Sequence, residues 1–564
     1  MHVIHRPWSP DAHAMDPTTL RLTVWIERAS AHKVWVHYGD RYALRRQYCV
    51  EMALIGQSAA FDVYRADIRL QAPRFQYLFE IEERANGAVT YGADGVGQDL
   101  ATDRPFQFAH ILPRDVFTVP EWAASAICYE IFPDRFYRPP GTSEQEGDRP
   151  LVAWTAAPTP TNFWGGTLAG ISEKMPYLAD LGINLVYLTP VFRSGSNHRY
   201  DVEDYYVIDP LLGTEADLVT LVERAHERGI RVMLDAVFNH TSDRFFAFQD
   251  CVANGTASEY WDWYLIEGDK VRTRPVNYQT FANGIASMPK LNFSNPNVEA
   301  YFLEVARYWI GHAGIDGWRL DVANEVDHVF WRRFRDAVKS VRHDALIVGE
   351  VWHDPTPWLH GDQFDGVMNY RFRTIIEDFF VRQKLAVAEF AYRLDDLQCS
   401  LPSPAGTASF NLLGSHDTER IFTLLDEDMA RYLLVLVLLL TWHGIPMIYY
   451  GDELAMTGGA DPGCRKGMDW SADCPAPSYP AIRKLLRLRS RHPALQSGTT
   501  RIDHGLASKH VLQYHRVHET EEMVVTLNFS GDPLVLPQTR HMWFRTADEQ
   551  SSVLQPGHAE IWSE

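Results

Sequence analysis

The feature that most constrains the fold is a series of eight short apolar, strand-like runs, several of which are separated by helical segments. The runs are AICYEIF (126–132), INLVYLTPV (183–191), RVMLDAVF (231–238), GWRLDV (317–322), ALIVGEVW (345–352), FDGVMNY (364–370), SFNLLGS (409–415) and PMIYYGDE (446–453). Strands joined by crossover helices form parallel sheets. Eight such alternations predict an α/β fold with a closed (β/α)₈ barrel.

The segments on either side of the barrel have a different pattern. Strand-like alternation with little helical periodicity (LRLTVWIE, KVWVHYG, AFDVYRADIRL, FQYLFEIEE) predicts an N-terminal β-sandwich at residues 1–122. Short strands return after Pro493 and predict a C-terminal β-sandwich at residues 496–564. The barrel then spans 123–495. Its irregular, aromatic interval at about 241–293 is predicted to be a subdomain inserted after strand three, over the barrel mouth.

Charge and composition narrow the range of partners. The chain has 53 Lys and Arg against 73 Asp and Glu, a net charge of −20, which argues against binding nucleic acid or an anionic membrane. Its 17 Trp and 25 Tyr supply flat faces that suit stacking on sugars or bases, although an aromatic core explains them as well.

The sequence also carries signals of cellular location. The six cysteines have no CxxC spacing, so neither a zinc site nor a disulfide framework is indicated. The N-terminus lacks the apolar stretch of a secretory signal, and a cytoplasmic location is expected. The apolar run YLLVLVLLLTW (432–442) is too short to span a bilayer and is predicted to be a buried helix.

Polar residues gather at the carboxyl ends of the predicted strands, where barrels of this kind place their working groups. They are Asp235, Asn239 and His240 after strand three, Arg319, Asp321 and Glu325 at strand four, Glu350 after strand five, and His416 and Asp417 after strand seven. A single carboxylate in such a place is commonly a helix cap. Several like charges in one barrel mouth repel one another, which argues against a purely structural role.

The residue types indicate acid and base chemistry with a carboxylate nucleophile. Neither an HExxH motif nor a cysteine cluster is present, and three carboxylates without a metal motif are typical of retaining glycoside hydrolases. In GWRLDV, Arg319 and Asp321 share one face of the strand, so the guanidinium can hold the carboxylate ionised and oriented. Asp321 is therefore predicted to be the nucleophile.

At these motifs the sequence resembles the α-amylase family of glycoside hydrolases. DAVFNH, GWRLDVANE, GEVWHD and LLGSHDTER match its four signature regions in order. MPKLNFSNP (288–296) and the spelling VANE resemble the cyclomaltodextrinase, neopullulanase and maltogenic amylase branch, as does the N-terminal β-domain, which is similar to a starch-binding-type module. The resemblance implies retaining, endo-type hydrolysis of α-1,4-glucosidic bonds in cyclodextrins and maltooligosaccharides, with pullulan as a further candidate substrate and transglycosylation as a further activity.

The resemblance also implies a role for each site residue. Asp321 is expected to be the nucleophile, Glu350 the general acid/base, and Asp417 the third carboxylate that grips the distorted sugar. The expected substrate-binding residues are Tyr200, Asp235, Asn239, His240, Phe281, Arg319, Glu325, Trp352, His416, Asp461 and Arg465. Among them, Tyr200 would stack on the sugar, Phe281 and Trp352 would line the leaving-group side, and Glu325 would shape the acceptor side. Core packing is the alternative for the aromatic residues, and a structural role is the alternative for the histidines.

One motif departs from the family. Many relatives carry a calcium loop after the first barrel strand, completed by an Asp, but here the loop reads FYRPPGTSEQEGDRP (136–150) and Thr167 stands in the place of that Asp. Calcium needs several oxygen ligands, so calcium at this loop is judged unlikely and no cofactor is expected.

The resemblance further implies a homodimer in which the N-terminal domain covers the barrel mouth of the partner subunit. Within the branch, the alternative is an enzyme with the substrate preference of a neopullulanase or a maltogenic amylase. A catalytically inactive binding or chaperone relative would lack the three carboxylates, and an α-1,6-acting or sucrose-isomerising relative would be expected to differ in MPKLN.

Overall fold

The computed structural model describes residues 1–43, 47–72, 74–84, 87–142, 145–146, 149–470, 476, 478–537, 539–546 and 553–563. Its centre is a closed barrel of eight parallel strands that pair in chain order. These strands are Cys128–Ile131, Leu185–Leu188, Arg231–Ala236, Gly317–Leu320, Leu346–Gly349, Gly366–Asn369, Phe410–Leu412 and Ile445–Tyr449. Each lies within or overlaps one predicted run, so the barrel prediction is confirmed.

Helices surround the barrel. The longer ones are Leu168–Glu173, Met175–Leu181, Glu215–His226, Phe246–Asn254, Pro296–His312, His328–Val341, Tyr370–Ile376, Val387–Cys399, Ser403–Ala408, Met429–Thr441 and Ser478–Arg491. Single turns are formed by Pro133–Phe136, Ile421–Leu424, Pro493–Gln496 and His504–Ala507. Local sequence fixes their starts: Thr214 accepts from the Asp217 N–H, and Asp217 accepts in return from the Thr214 N–H, which is a capping box.

All but the last residue of the apolar run at 432–442 lies in the helix Met429–Thr441, which is buried along nearly its whole length. Asp428 caps its start by accepting from the Ala430 N–H at 2.9 Å. Among the described residues, no helix is both long and apolar enough to cross a membrane. The prediction of a buried helix is therefore confirmed.

The interval between strands three and four is more regular than its sequence suggested. It holds the helix Phe246–Asn254 and the 3₁₀ turns Gly255–Ala257 and Trp261–Trp263. Isolated bridges such as His240 to Lys290 fasten it to the end of strand three. The aromatic residues, which gave no clear helical period, pack edge-to-face against one another, as in the contact of Phe248 with Tyr264 at 4.9 Å.

The N-terminal region is built from two antiparallel sheets. One contains Val3–Ile4, Ala12–Asp16, Thr19–Glu27, Ala53–Gln57 and Phe61–Arg69, and the other contains Ala31–Asp40, Gln47–Glu51, Phe75–Glu83, Gly87–Gly92, Gly95–Gly97 and Phe106–Gln107. The region also rests on its own barrel, because the Gln57 N–H donates to Asp395 at 2.9 Å and Arg28 lies over the Tyr392 ring at 4.1 Å.

The C-terminal region is a five-stranded antiparallel sheet with a small two-stranded sheet beside it. The larger contains Thr499–Ile502, Val511–His518, Glu521–Asn528, His541–Arg545 and His558–Ser563, and the smaller contains Leu534–Val535 and Val553–Leu554. The larger sheet is joined to the barrel through the buried Arg516, which donates to the Ala494 carbonyl at 3.1 Å.

Candidate active site

A cavity of about 530 Å³ opens at the carboxyl ends of the barrel strands. The predicted site residues that line it are Tyr200, His240, Phe281, Asp321, Glu350, Trp352, Asp417, Asp461 and Arg465. Asp235, Arg319 and His416 lie directly behind this lining and are buried. The structure thus brings together predicted residues from strands that are far apart in sequence.

The floor of the cavity is organised by Arg319. Its guanidinium lies 2.8 Å from Asp321 Oδ1, 2.9 Å from Glu350 Oε2 and 3.1 Å from both carboxylate oxygens of Asp235. In the described part of the chain it is the only cation within ion-pair distance of these three carboxylates. The alternation in GWRLDV has this result: Arg319 and Asp321 share a face that points into the barrel mouth.

The pKa of Asp321 depends on its burial and on the charges around it. Burial, together with the neighbouring Glu350 and Asp235, raises the pKa of Asp321 well above its usual value, while Arg319 acts in the opposite direction. Burial and these neighbouring carboxylates thus favour the protonated form of Asp321.

Glu350 is held by donors on both oxygens. Its Oε2 accepts from the Val322 N–H at 2.9 Å, and its Oε1 accepts from the Trp352 indole N–H at 2.9 Å. Val322 has φ 45°, in the left-handed region, which is uncommon for a β-branched residue. The backbone turns sharply after Asp321, and this turn aims the Val322 N–H at Glu350.

Asp417 lies on the other side of the cavity with two cationic neighbours. Its carboxylate is 3.1 Å from His416 Nε2 and 3.1 Å from an Arg465 guanidinium nitrogen. Although burial opposes ionisation, His416 and Arg465 lower the pKa of Asp417 below its usual value. Asp417 is thus held as an anion at neutral pH.

Aromatic rings form the walls. Tyr200 lies parallel to the His416 ring at 5.4 Å, and the His240 ring stacks on Phe281 at 5.0 Å. Burial lowers the pKa of His240 to about 4, so this imidazole is neutral at pH 7, and its Nε2 lies 3.1 Å from the Tyr200 carbonyl oxygen. Trp352 is 49% exposed and presents an open face for a ligand at the cavity rim.

Comparison with known proteins decides the family. A family model described as the alpha-amylase catalytic domain matches residues 130–492, and one described as the alpha-amylase N-terminal ig-like domain matches residues 1–112. The chain belongs to the α-amylase family.

Curated relatives narrow this assignment. A cyclomaltodextrinase of Thermoanaerobacter pseudethanolicus is 40% identical over 95% of this chain and 93% of its own length. Neopullulanase 2 of Thermoactinomyces vulgaris is 40% identical over 94% of this chain and 91% of its own. The intracellular maltogenic amylase of Bacillus subtilis is 40% identical over 83% of this chain and 80% of its own.

A solved structure is similar over the same extent. A cyclomaltodextrinase structure superposes with a TM-score of 0.91 at 36% identity, covering 100% of this chain and 99% of that one. The protein is therefore a glycoside hydrolase of the cyclomaltodextrinase, neopullulanase and maltogenic amylase branch of the α-amylase family.

Two predicted residues of this α-amylase family site lie beside the cavity rather than in its lining. Asn239 accepts a hydrogen bond from the Lys290 ammonium, and the same ammonium lies 3.3 Å from Glu325. Lys290 was not predicted, although it stands in the MPKLN motif. It joins the inserted segment to the ends of strands three and four.

The loop after strand eight supplies Asp461 and Arg465. Arg465 lies 3.0 Å from Asp461 and donates through Nε to the His416 carbonyl at 2.7 Å. Since Arg465 also contacts Asp417, this loop both closes one end of the cavity and fixes the charge of a site carboxylate.

Residues that the motifs did not single out also belong to the site. His198 lines the cavity, and Glu130 contacts His416 from the first barrel strand. Both stand next to recognisable segments, SNHRYD and CYEIF, but a single His or Glu beside a strand gives no signal of its own in one sequence.

The structure gives Thr167 a local role in place of the family's calcium ligand. Its hydroxyl accepts from the Gly170 N–H at 2.9 Å and caps the helix Leu168–Glu173. Among the described residues, no group of His, Cys, Asp or Glu side chains could hold a metal ion. Residues 143, 144, 147 and 148 of the loop 136–150, where calcium was judged unlikely, lie outside the described part of the chain.

Proposed function

We propose that this enzyme hydrolyses α-1,4-glucosidic bonds in cyclodextrins and short maltooligosaccharides with retention of anomeric configuration. The observation that carries the proposal is the pairing of Asp321 and Glu350 on one guanidinium, at the floor of a cavity with Asp417 on its far side. Family membership and the cyclomaltodextrinase relatives support the substrate class. Pullulan is a further candidate substrate, since a neopullulanase is equally similar.

In the proposed mechanism, Glu350 donates a proton to the leaving oxygen while the Asp321 carboxylate attacks the anomeric carbon. The covalent glycosyl-enzyme is then hydrolysed by water that Glu350 deprotonates. Burial alone would favour the proton on Asp321. The positive charge that develops on the sugar ring lies beside Asp321 and favours its ionised form, which the attack requires.

The remaining residues position the sugar. The anionic Asp417 accepts hydrogen bonds from its hydroxyls, and the neutral His240 faces the same sugar from the cavity wall. The buried His416 acts on the sugar through its contacts with Asp417 and Tyr200. Tyr200 and Phe281 stack against ring faces, and the exposed Trp352 takes the leaving-group side. Asp461 and Arg465 close the non-reducing end, while Glu325 shapes the acceptor side through Lys290.

We also propose that the enzyme works in the cytoplasm as a homodimer, with residues 1 to about 120 covering the partner subunit's cavity. The intracellular maltogenic amylase relative supports the location. Exposed aromatic side chains support the assembly, because the N-terminal region leaves Trp8 57%, Tyr42 69% and Tyr48 49% exposed. A mouth narrowed by a partner admits cyclodextrins and short chains better than starch.

The catalytic assignment is tested by Asp321→Asn and Glu350→Gln, each assayed on β-cyclodextrin. Both substitutions keep the volume but remove the attacking charge or the donated proton, so activity is expected to fall by at least about 10³-fold. Asp365→Asn is the matched control, because Asp365 is a buried carboxylate at the opposite end of the barrel. Activity within tenfold of wild type in either site variant would refute the assignment.

The assembly and substrate preference have a separate test. Light scattering is expected to give a dimer, and kcat/KM for β-cyclodextrin is expected to exceed that for soluble starch at least about tenfold, or about 1.4 kcal/mol. Deletion of residues 1–122 is expected to weaken association and narrow the preference. A monomer that hydrolyses starch as fast as cyclodextrin would overturn the dimer proposal and leave the catalytic one intact.

A further inference from the structure

A buried carboxylate behind the cavity takes no part in the mechanism above. Glu130 lies in the first barrel strand, is 0% exposed and does not line the cavity. Its Oε1 accepts from the His416 backbone N–H at 3.3 Å and lies 2.5 Å from His416 Nδ1. In the part of the chain that the structure describes, its Oε2 has no hydrogen-bond partner. A buried carboxylate with an unpaired oxygen is costly, so its presence needs a reason.

His416 connects Glu130 to the carboxylates of the site. His416 Nε2 lies 3.1 Å from Asp417 Oδ2 and 2.6 Å from the Tyr200 hydroxyl. The same hydroxyl lies 2.9 Å from Asp235 Oδ2, which in turn contacts Arg319. These contacts form a continuous path from the first barrel strand to the floor of the cavity.

The charge of His416 decides the direction of the hydrogen bonds on this path. A doubly protonated ring donates from Nδ1 to Glu130 and from Nε2 toward Asp417 and Tyr200, so the Tyr200 hydroxyl donates to Asp235. A neutral ring with its proton on Nδ1 presents a lone pair at Nε2. The Tyr200 proton would then turn to His416, and Asp417 would face that lone pair.

We propose that Glu130 is a positioning residue that holds His416 as an imidazolium and so keeps Asp417 ionised and Tyr200 hydrogen-bonded to Asp235. The inference rests on the proposed function, because it deepens the account of how Asp417 acts on the sugar. Glu130 itself does not touch substrate. Its effect reaches the reaction through His416, which touches both Asp417 and Tyr200.

The other groups around His416 act in both directions. Although burial disfavours the charged ring, Asp417 and Glu130 raise the pKa of His416, and Arg465 opposes them. Asp235 from strand three and Asp461 from the loop after strand eight add further negative charge nearby. His198, from the loop after strand two, has its pKa lowered to about 4 by burial and is neutral at pH 7.

The test uses Glu130→Gln in the full chain. The amide oxygen can still accept from the His416 ring and backbone, but the negative charge is gone. On β-cyclodextrin we expect kcat to fall at least about tenfold with KM within about threefold, since the lost interaction acts on the transition state. We expect the pKa of His416, read by NMR of labelled histidine and assigned with His416→Asn, to fall by at least about one unit.

Glu453→Gln is the matched control. Glu453 is also 0% exposed, and it accepts from the Tyr129 and Tyr177 hydroxyls at 2.7 Å each. It follows the eighth strand and has no contact with His416 among the described residues. We expect its activity to stay within about threefold of wild type, which separates loss of this particular charge from loss of any buried carboxylate.

Each outcome decides the question. Wild-type kcat and an unchanged His416 pKa in Glu130→Gln, with Asp321→Asn inactive, would overturn the inference and leave the proposed function standing. Activity in Asp321→Asn would overturn the proposed function itself. Should Glu130→Gln fail to fold, the wild-type spectrum decides: a doubly protonated His416 at pH 7 supports the inference, and a neutral His416 overturns it.

Discussion

The two ends of the barrel treat buried carboxylates in opposite ways. At the carboxyl ends of the strands, Asp235, Asp321 and Glu350 share the single guanidinium of Arg319. At the other end, Asp365 lies immediately before the sixth strand and has two cations of its own, with Arg335 at 2.7 Å and Lys339 at 2.8 Å. Among the described residues, three carboxylates at the mouth therefore share one cation, whereas Asp365 has two cations to itself.

A second carboxylate at the opposite end follows the same rule. Asp316 lies immediately before the fourth strand and is bound by Arg342 at 2.8 Å and His226 at 2.7 Å. It also accepts from the Val232 N–H, so it ties two neighbouring strands together. Carboxylates such as Asp316 and Asp365, which have enough cationic partners to neutralise them, stabilise the barrel. The carboxylates at the mouth have too few cationic partners and are retained for chemistry, which needs groups that change their charge.

Removing a balanced carboxylate should give the largest change in stability. Asp365→Asn leaves Arg335 and Lys339 beside a neutral amide and weakens the bond to the Ile347 N–H. We expect the free energy of unfolding in urea to fall by about 3 kcal/mol at pH 7, with kcat on β-cyclodextrin unchanged where the protein is folded. Unchanged stability would show that Asp365 is not needed to balance these cations.

The sequence predicted the barrel well because most of its strands are short, mainly apolar runs, and burial of both faces leaves little ambiguity about such a run. The segment from 241 to 293 was predicted less well. Its helix Phe246–Asn254 is held by aromatic packing across the subdomain rather than by a local hydrophobic period.

The candidate site also contains some residues that the sequence predicted and others that it did not. Arg319 lies in the fourth strand, and Asp321 and Glu350 directly follow the fourth and fifth strands, so the fold alone brings them together. Glu130 and Lys290 could not be assigned from sequence, because their roles depend on contacts with residues 286 and 51 positions away, His416 and Asn239. Long-range partners of this kind become visible only when the barrel is closed.

Acid should weaken the mouth through its buried histidine. Burial lowers the pKa of His240 to about 4, below the ordinary value of 6.5, so the unfolded chain binds a proton first. Stability that depends on neutral His240 is therefore lost as the pH falls from about 6.5 to about 4. At pH 5 we expect this loss to be about 2 kcal/mol.

The measurement compares urea unfolding of wild type and His240→Gln at pH 7 and pH 5. The variant should lose less stability on acidification, by about 2 kcal/mol. His343→Gln serves as control, because this exposed residue lies at the opposite end of the barrel. Identical pH dependence in wild type and His240→Gln would contradict the prediction.

The smallest expected change in the free energy of unfolding is an increase, for Asp321→Asn, whereas Asp365→Asn is expected to decrease it. Asp321→Asn removes one of three carboxylates from Arg319, which keeps Asp235 and Glu350 as partners, and the new amide oxygen can still accept from the guanidinium. Burial raises the pKa of Asp321, so stability is lost as the pH rises and the folded protein must ionise it. The inactive variant is therefore expected to be more stable than wild type by about 1 kcal/mol at pH 7, with the difference shrinking toward pH 4, where the carboxyl is protonated. Urea unfolding at both pH values measures it. A variant less stable than wild type at pH 7 would mean that Asp321 is balanced in the folded protein, and that the contrast between the two ends of the barrel does not separate function from stability.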